Sequence, residues 1–252
     1  MENTVSAEIM QLREWVNAAR RIVFFGGAGV STESGIPDFR SVDGLYNQQY
    51  EYPPETILSH SFFENQPAEF FRFYRDKMLF DPAVIRPNAA HLALARLERE
   101  GKMEETGVIT QNIDGLHTEA GSQRVFELHG SMHRNHCMKC RRFYPLSRMA
   151  ESGEDPHGVP LCVCGGLIKP DVVLYEEALD PEVLEGAVRA MQSADLLIIG
   201  GTSMTVWPAA GLVTRFRGDR IAVINRGATH ADGKADLVIR EPIGRVLGSL
   251  FD

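Results

Sequence analysis

Gly26-Gly27-Ala28-Gly29-Val30-Ser31-Thr32-Glu33-Ser34-Gly35-Ile36-Pro37-Asp38-Phe39-Arg40 is the stretch that decides the fold. It follows an apolar run, Arg21-Ile22-Val23-Phe24-Phe25, that reads as a buried parallel strand. A strand running into glycines and then hydroxyl residues is how a nucleotide phosphate site is built. Small residues let the backbone approach, and the helix that follows offers unpaired N–H groups and a positive dipole end. The spacing departs from the ordinary dinucleotide fingerprint, because the third glycine would fall at Thr32. A Walker loop is excluded, since no Gly-Lys-Ser/Thr follows. The competing reading is a tight strand-to-helix turn that binds nothing.

Outward from this loop, strands and helices alternate. Residues 6–20 form an amphipathic helical pattern with Ile9, Leu12, Trp15, Val16 and Ala19 on one side. Residues 88–100 and 181–193 read as helices, and 243–251 as a closing helix. Strands are expected at 107–110, 124–128, 171–175, 195–199, 220–225 and 236–239. Such alternation implies a parallel, doubly wound sheet whose ligand sits at the carboxyl ends of the strands. The turns after 25, 110, 128, 199 and 224 all carry glycine, Ser/Thr, Asn, Asp or His there, which makes them candidates for one shared site. Residues 41–87 change character. They are rich in aromatics and proline, among them Tyr46, Tyr50, Phe62, Phe63, Phe70, Phe71, Phe73 and Tyr74, with a helical pattern over 67–79. They read as an inserted helical module or lid whose aromatics mostly pack a core.

The chain has 252 residues, 44% hydrophobic and 24% charged, with a net charge of −8. That suits one large domain with an insertion, or two small ones. The acidic balance argues against direct nucleic-acid binding and mildly favours basic partners such as lysine-rich peptides. Neither a leader pattern nor a run long enough to span a membrane is visible, so a cytoplasmic location is the expectation. The four cysteines fall in two tight pairs, Cys137/Cys140 and Cys162/Cys164. This pattern reads as a tetrahedral structural zinc site, with redox pairing as the rival. Gly165 and Gly166 let the short second pair curl onto the same metal. His133 and His136 are read as non-ligands, because four sulfurs fill the shell. The surrounding segment, roughly 132–168, shows little periodicity.

Two further stretches carry chemistry. Thr110-Gln111-Asn112-Ile113-Asp114-Gly115-Leu116-His117 follows a strand, and its amides and carboxylate can bind ribose hydroxyls or a carboxamide. The alternative is a polar turn in which Asp114 caps a helix. Glu127-Leu128-His129-Gly130 places a histidine at a strand end, where an imidazole is a candidate general base. His91, His117, His157 and His230 have weaker cases.

Taken in order, these motifs resemble the sirtuins, bacterial-type NAD-dependent protein lysine deacylases. The glycine stretch, Thr110–His117, His129-Gly130, the cysteine pairs, Lys169-Pro170-Asp171-Val172-Val173, Gly201-Thr202-Ser203 and Asn225 carry the resemblance, over about residues 20–240. It implies an α/β fold, a Rossmann-like parallel doubly wound sheet with a smaller zinc-binding and helical domain. The boundaries would be 1–42, 86–132 and 168–252 for the NAD-binding domain, 43–85 for the helical module and 133–167 for the zinc module. It implies NAD contacts from Gly27, Ala28, Gly29, Thr32, Asp38, Phe39, Arg40, Gln111, His129, Gly201, Thr202, Ser203, Asn225 and Arg226. Asn112, Ile113 and Asp114 would line the ribose and nicotinamide pocket, and Asn112 and His129 would be catalytic, His129 as the base. Val173, Leu174, Tyr175 and Glu176 would meet the acylated peptide by β-augmentation. The products would be free lysine, nicotinamide and O-acyl-ADP-ribose.

Two departures from the family pattern stand out. Glu176 occupies a position that is commonly glycine, where it alters the approach of the substrate backbone or adds a carboxylate that attracts basic peptides. Members that remove succinyl or malonyl groups carry Tyr-x-x-Arg in the helix around 70–78, whereas here the pair is Phe71-x-x-Tyr74, with Arg72 and Arg75 nearby. Uncharged acyl groups are therefore expected. The alternatives left open are an ADP-ribosyltransferase or NAD hydrolase on the same scaffold and a non-catalytic module that binds NAD or acyl-peptide. A dehydrogenase fits poorly with the glycine spacing and the cysteine segment.

Overall fold

The computed structural model describes residues 6–39, 44, 50–80, 84–151 and 155–251. Arg40, Tyr46 and the first five residues, which were read for a leader, lie outside the described residues. The chain lays down β1 (Ile22–Gly26), β2 (Val108–Thr110) and β3 (Val125–Glu127). It then forms β4 (Gly130–Cys137), β5 (Phe143–Tyr144) and β6 (Ile168–Val172), followed by β7 (Leu196–Gly200), β8 (Arg220–Ile224) and β9 (Leu237–Ile239). The main sheet has the order β3-β2-β1-β7-β8-β9, with every pairing parallel. From β1 the chain steps to β2 and β3 on one side and resumes at β7 on the other. The boundary between β1 and β7 is thus a topological switch point, the place where open α/β sheets bind their ligands.

Alternation along the central strands feeds two cores. Ile22, Phe24, Leu196 and Ile198 face one cluster with Leu12 of α1 (Ala7–Ala18), Leu94 of α5 (Ala89–Arg99) and Val246 of α9 (Ile243–Gly248). Val23, Phe25, Leu197 and Ile199 face the other, with Ala190 and Met191 of α8 (Pro181–Ser193). Burial on both faces is why β1 and β7 read as unbroken apolar runs.

A third cluster joins the two insertions. Phe63 of α3 (His60–Asn65) and Phe70, Phe71 and Tyr74 of α4 (Pro67–Lys77) pack with Cys137, Cys162, Ile168 and Leu174. Ile57 of α2 (Pro54–Ile57) and Met149 of α7 (Leu146–Ala150) complete it. The helical insertion and the cysteine segment therefore form one small lobe, and the aromatics are mostly its core. The strand expected at 171–175 lies at Ile168–Val172 and pairs antiparallel with β4, in a three-stranded sheet apart from the main one. Strand β4 falls where little periodicity was visible, because its register shifts between Ser131 and Asn135 and the shift breaks the alternation. Gly130 has φ +75°, and a Cβ there would stand 1.9 Å from the Asp171 carbonyl oxygen, so only glycine lets β6 lie this close.

Beneath the main sheet, His91 and His117 of α6 (Leu116–Glu119) are buried with ring centroids 4.7 Å apart. His91 Nδ1 accepts from the Asn88 N–H at 3.2 Å, while His91 Nε2 and both His117 nitrogens have no partner among the described residues. Burial pushes the His91 imidazole down to about 4 and the His117 imidazole well below its ordinary value. Both are neutral in the fold and protonate on unfolding. Their contribution is therefore intact above pH ~6.5 and declines as pH falls toward the folded value. We expect unfolding free energy to drop by about 1 kcal/mol from His91 between pH 7 and 5.5 and by about 3 kcal/mol by pH 4, with His117 acting in the same direction. His60, held up by its bond to Glu177, acts in the opposite sense, but it is partly exposed and screened. Urea unfolding at pH 7, 5.5 and 4 checks this, and a flat dependence would contradict it.

Candidate active site

The glycine loop after β1 and the turn after β7 are zipped together at the switch point. The Gly29 N–H donates to the Gly201 carbonyl at 2.8 Å, and the Gly27 N–H to the Gly200 carbonyl at 3.3 Å. A Cβ on Gly29 would meet Gly201 Cα at 2.8 Å, and Gly201 has φ +60°. These two glycines thus permit a backbone approach that no side chain allows. The helix expected after the loop is instead two single 3₁₀ turns, Ala28–Val30 and Thr32–Ser34. Gly35, left-handed at φ +92°, ends the second, and Pro37 disfavours further helix. The Val30 and Ser31 N–H groups bond to Gly27 and Ala28 carbonyls, so no long helix dipole and few free amides are on offer. Asn88, at the N-terminus of α5, pins the loop from behind: its Nδ2 donates to the Val30 carbonyl at 2.7 Å and to Ser34 Oγ at 2.9 Å.

Ser31, fully buried, is the hub of the polar cluster. Its hydroxyl donates to Asp114 Oδ2 at 2.7 Å and accepts from Asn112 Nδ2 at 3.1 Å. Asp114 Oδ1 accepts from the Leu116 N–H at 2.9 Å, so the carboxylate both closes the turn into α6 and reaches the site. Burial raises the Asp114 carboxyl above its ordinary range, against the Leu116 and Ser31 hydrogen bonds, which lower it. Sequence reasoning assigned no role to Ser31; the signal available was its fixed place two residues after Gly29.

Gln111 follows β2, its Nε2 donating to Thr202 Oγ1 at 3.0 Å. Its carbonyl lies 3.0 Å from His129 Nδ1. A carbonyl only accepts, so Nδ1 carries the proton and Nε2 is left with the lone pair. Burial lowers the His129 imidazole, opposed by the Gln111 hydrogen bond, so the neutral base is favoured. On the far side of β7, Ser203 Oγ pairs with Thr205 Oγ1 at 2.9 Å, and Asn225 Nδ2 donates to the Gly227 carbonyl at 2.9 Å. Arg226 is exposed beside it. Phe39 is half-buried against the small lobe's core, whose margin also holds Ile113. The structure thus brings Gly27, Ala28, Gly29, Gln111, Asn112, Asp114, His129, Gly201 and Thr202 together.

The segment after β6 runs from His129 to the helical insertion. The Val173 N–H donates to the His129 carbonyl at 3.0 Å, and the Tyr175 N–H to the Leu58 carbonyl at 2.9 Å. Glu176 takes φ +76°, a left-handed conformation that glycine adopts freely and glutamate rarely. Phe71 and Tyr74 are fully buried, and the Tyr74 hydroxyl has no partner among the described residues. The neighbouring cations are both engaged: Arg72 pairs with Glu69, and Arg75, whose guanidinium lies 5.8 Å over the Phe71 ring, donates from Nε to the Met149 carbonyl at 3.1 Å. A surface cavity of about 330 Å³ beside Glu69, Arg72, Arg75 and His157 shares no residue with the polar cluster.

The four cysteine sulfurs lie within 4.8 Å of one another, with Cys137 to Cys164 at 3.5 Å and Cys140 to Cys162 at 3.6 Å. Tetrahedral coordination with metal–sulfur bonds of about 2.3 Å places sulfurs about 3.8 Å apart, so the donor set fits a thiolate-bound metal. The Tyr144 hydroxyl donates to Cys162 Sγ at 3.0 Å, an outer hydrogen bond of the kind that orients metal ligands. His133 Nε2 is 3.0 Å from the Asp114 carbonyl and His136 packs on Phe143, so neither belongs to the sulfur cluster.

Comparison with known proteins gives consistent matches. Residues 27–208 match the model of the Sir2 family. A Clostridium perfringens protein named NAD-dependent protein deacetylase is 54% identical, over 97% of this chain and 99% of its own length. A Clostridium acetobutylicum protein of the same name is 52% identical, over 97% and 98%. Among solved structures, a Sir2 enzyme superposes with a TM-score of 0.86 at 37% identity, covering 98% of this chain and 97% of the other. A Sir2–p53 peptide–NAD+ complex does so with a TM-score of 0.83 at 35% identity, covering 96% and 97%.

Proposed function

The chain belongs to the Sir2 family, and from that premise we propose that it works as an NAD-dependent protein deacetylase. It removes acetyl, or another uncharged acyl group, from protein lysines, giving nicotinamide and O-acyl-ADP-ribose. The observation that carries the reading for this chain's own residues is the His129–Gln111 hydrogen bond, set beside the Ser31–Asn112–Asp114 cluster at the sheet's switch point. NAD supplies a glycosidic carbon–nitrogen bond that breaks with loss of nicotinamide, leaving a carbon open to the acyl oxygen. His129 Nε2, free of its proton, accepts one from a ribose hydroxyl. Asn112 and Asp114, tied by Ser31, are held in fixed geometry for the ribose and carboxamide, which lowers the cost of orienting them during reaction. Gly27, Ala28, Gly29, Thr32, Asp38, Gln111, Gly201, Thr202, Ser203, Asn225 and Arg226 are the residues we assign to the rest of NAD, with Arg40 from the family motif. Phe39 and Ile113, on the margin of the small lobe's core, are assigned to excluding water from the reacting carbon. The acylated peptide is assigned to the strand edge at Val173–Tyr175; the N–H groups of this segment go to His129, Glu177 and Leu58, so the peptide is expected to donate to its carbonyls.

The four cysteines are assigned to one structural Zn²⁺; four thiolates and no open position suit a metal that holds structure. Free thiols poised for a metal also suit a reducing compartment, and we place the enzyme in the cytoplasm. No helix among the described residues is long and apolar enough to cross a membrane.

Mass spectrometry of one acetyl-lysine peptide, with and without NAD, tests the assignment. Stoichiometric nicotinamide and O-acetyl-ADP-ribose are expected. NAD consumed with the peptide intact would favour ADP-ribosyl transfer or hydrolysis instead. With Arg72 and Arg75 already held by Glu69 and the Met149 carbonyl, a succinyl-lysine peptide is expected to react more slowly than its acetyl counterpart, and faster reaction would overturn the uncharged-acyl assignment.

A further inference from the structure

The Glu176 carboxylate is exposed but engaged by the protein itself. Its Oε2 accepts from the Ser61 N–H at 2.9 Å and its Oε1 from the Ser61 hydroxyl at 3.0 Å, at the start of α3. The residues on either side point the same way. Tyr175 bridges Ser59, and its carbonyl accepts from the His60 N–H at 3.0 Å. Glu177 accepts from the Leu174 N–H at 2.8 Å and pairs with His60 Nδ1 at 2.7 Å and with Lys169 Nζ at 3.1 Å. Burial alone would raise the Glu177 carboxyl, but Leu174, His60 and Lys169 outweigh it and hold it below the ordinary range. Residues 174–177 are thus stitched to residues 58–61, while Val173 at the other end is bonded to the His129 carbonyl. A left-handed glutamate is an unfavourable choice of residue unless its side chain does something at that position.

We propose that Glu176 is a positioning residue for the acylated peptide: its carboxylate latches the end of the docking strand to α3 and so holds the backbone edge that the peptide must meet. The inference rests on the peptide assignment above. It predicts a loss in peptide affinity that does not depend on the peptide's charge, since the carboxylate acts on the protein's own backbone.

The experiment measures binding of two fluorescent acetyl-lysine peptides, one neutral and one rich in lysine, together with steady-state turnover. The variants are Glu176→Ala, Glu176→Gly, Glu176→Gln and Ser61→Ala. Alanine and glycine are expected to raise Kd and KM for both peptides by roughly 3–10-fold, the range of one net hydrogen bond at an exposed position, with KM for NAD unmoved. Glycine relieves the backbone strain, so its failure to bind normally would isolate the lost carboxylate. Glutamine keeps an oxygen for the Ser61 N–H and is expected to stay within about two-fold of wild type, with Ser61→Ala between the two. Unchanged peptide affinity in the alanine and glycine variants would overturn the proposal. So would a loss confined to the lysine-rich peptide, or an equal rise in KM for NAD. A wild type that bound peptide without turnover would count against the deacetylase reading, while the Kd comparison would still decide the latch.

Discussion

Replacing His129 with alanine is expected to lower turnover by roughly 10²–10⁴-fold, the contribution of a positioned general base. The Gln111 carbonyl fixes the tautomer, so the nitrogen that carries the lone pair is always Nε2. Burial keeps the ring neutral below its ordinary pKa of about 6.5, so wild-type turnover should persist as pH falls through that value and decline below it. Because the Ser31–Asn112–Asp114 cluster does not depend on the imidazole, NAD affinity in the variant should change far less than turnover. Isothermal titration with NAD, beside single-turnover rates, separates the two. Near-normal turnover in His129→Ala would remove the residue from the mechanism.

Loss of the metal should have the largest effect on stability. Formation of a structural zinc site contributes ~10–16 kcal/mol in small zinc domains, as much as the whole stability of an ordinary domain, about 5–15 kcal/mol. The loss would not stay local. Cys137 and Cys162 are buried in the same cluster as Phe63, Phe70, Phe71 and Tyr74, so unfolding the cysteine segment strips one wall from the helical insertion. It would also release β4 and β6, which connect His129 to residues 173–175. Cys140→Ala is therefore expected to give insoluble or inactive protein, and chelation of the wild type to lower the melting temperature sharply. Metal content by mass spectrometry and thermal melts check both, and a fully active, metal-free Cys140→Ala protein would refute the assignment.

Much of this was legible along the chain because it is short-range. The apolar runs at β1 and β7, the helical periodicity of α1, α5 and α8, the glycines after each strand and the cysteine spacing each lie within a window of a few turns. Their meaning depends on local geometry that the residue types dictate. The bulge in β4 hid a strand for the same reason, since a register shift erases the pattern by which strands are recognised.

What only the tertiary structure decided are pairings between distant segments. Order β3-β2-β1-β7-β8-β9 sets the switch point, and no residue within β1 specifies that β7 will lie beside it. Ser31 meets Asp114 across 83 residues, Asn88 pins the loop 54 residues before it, and Glu176 turns back to Ser61 across 115. Gly29 needs its glycine because of Gly201, and the expected helix after it gives way to short turns once their amides find carbonyl partners. By itself the sequence determined the parallel α/β class, the candidate chemistry and the cysteine pairs that could hold a metal, because these follow from local periodicity and spacing. The tertiary structure decided which polar atoms face one another, because hydrogen-bond geometry between remote segments exists only after the two cores have packed the strands into order.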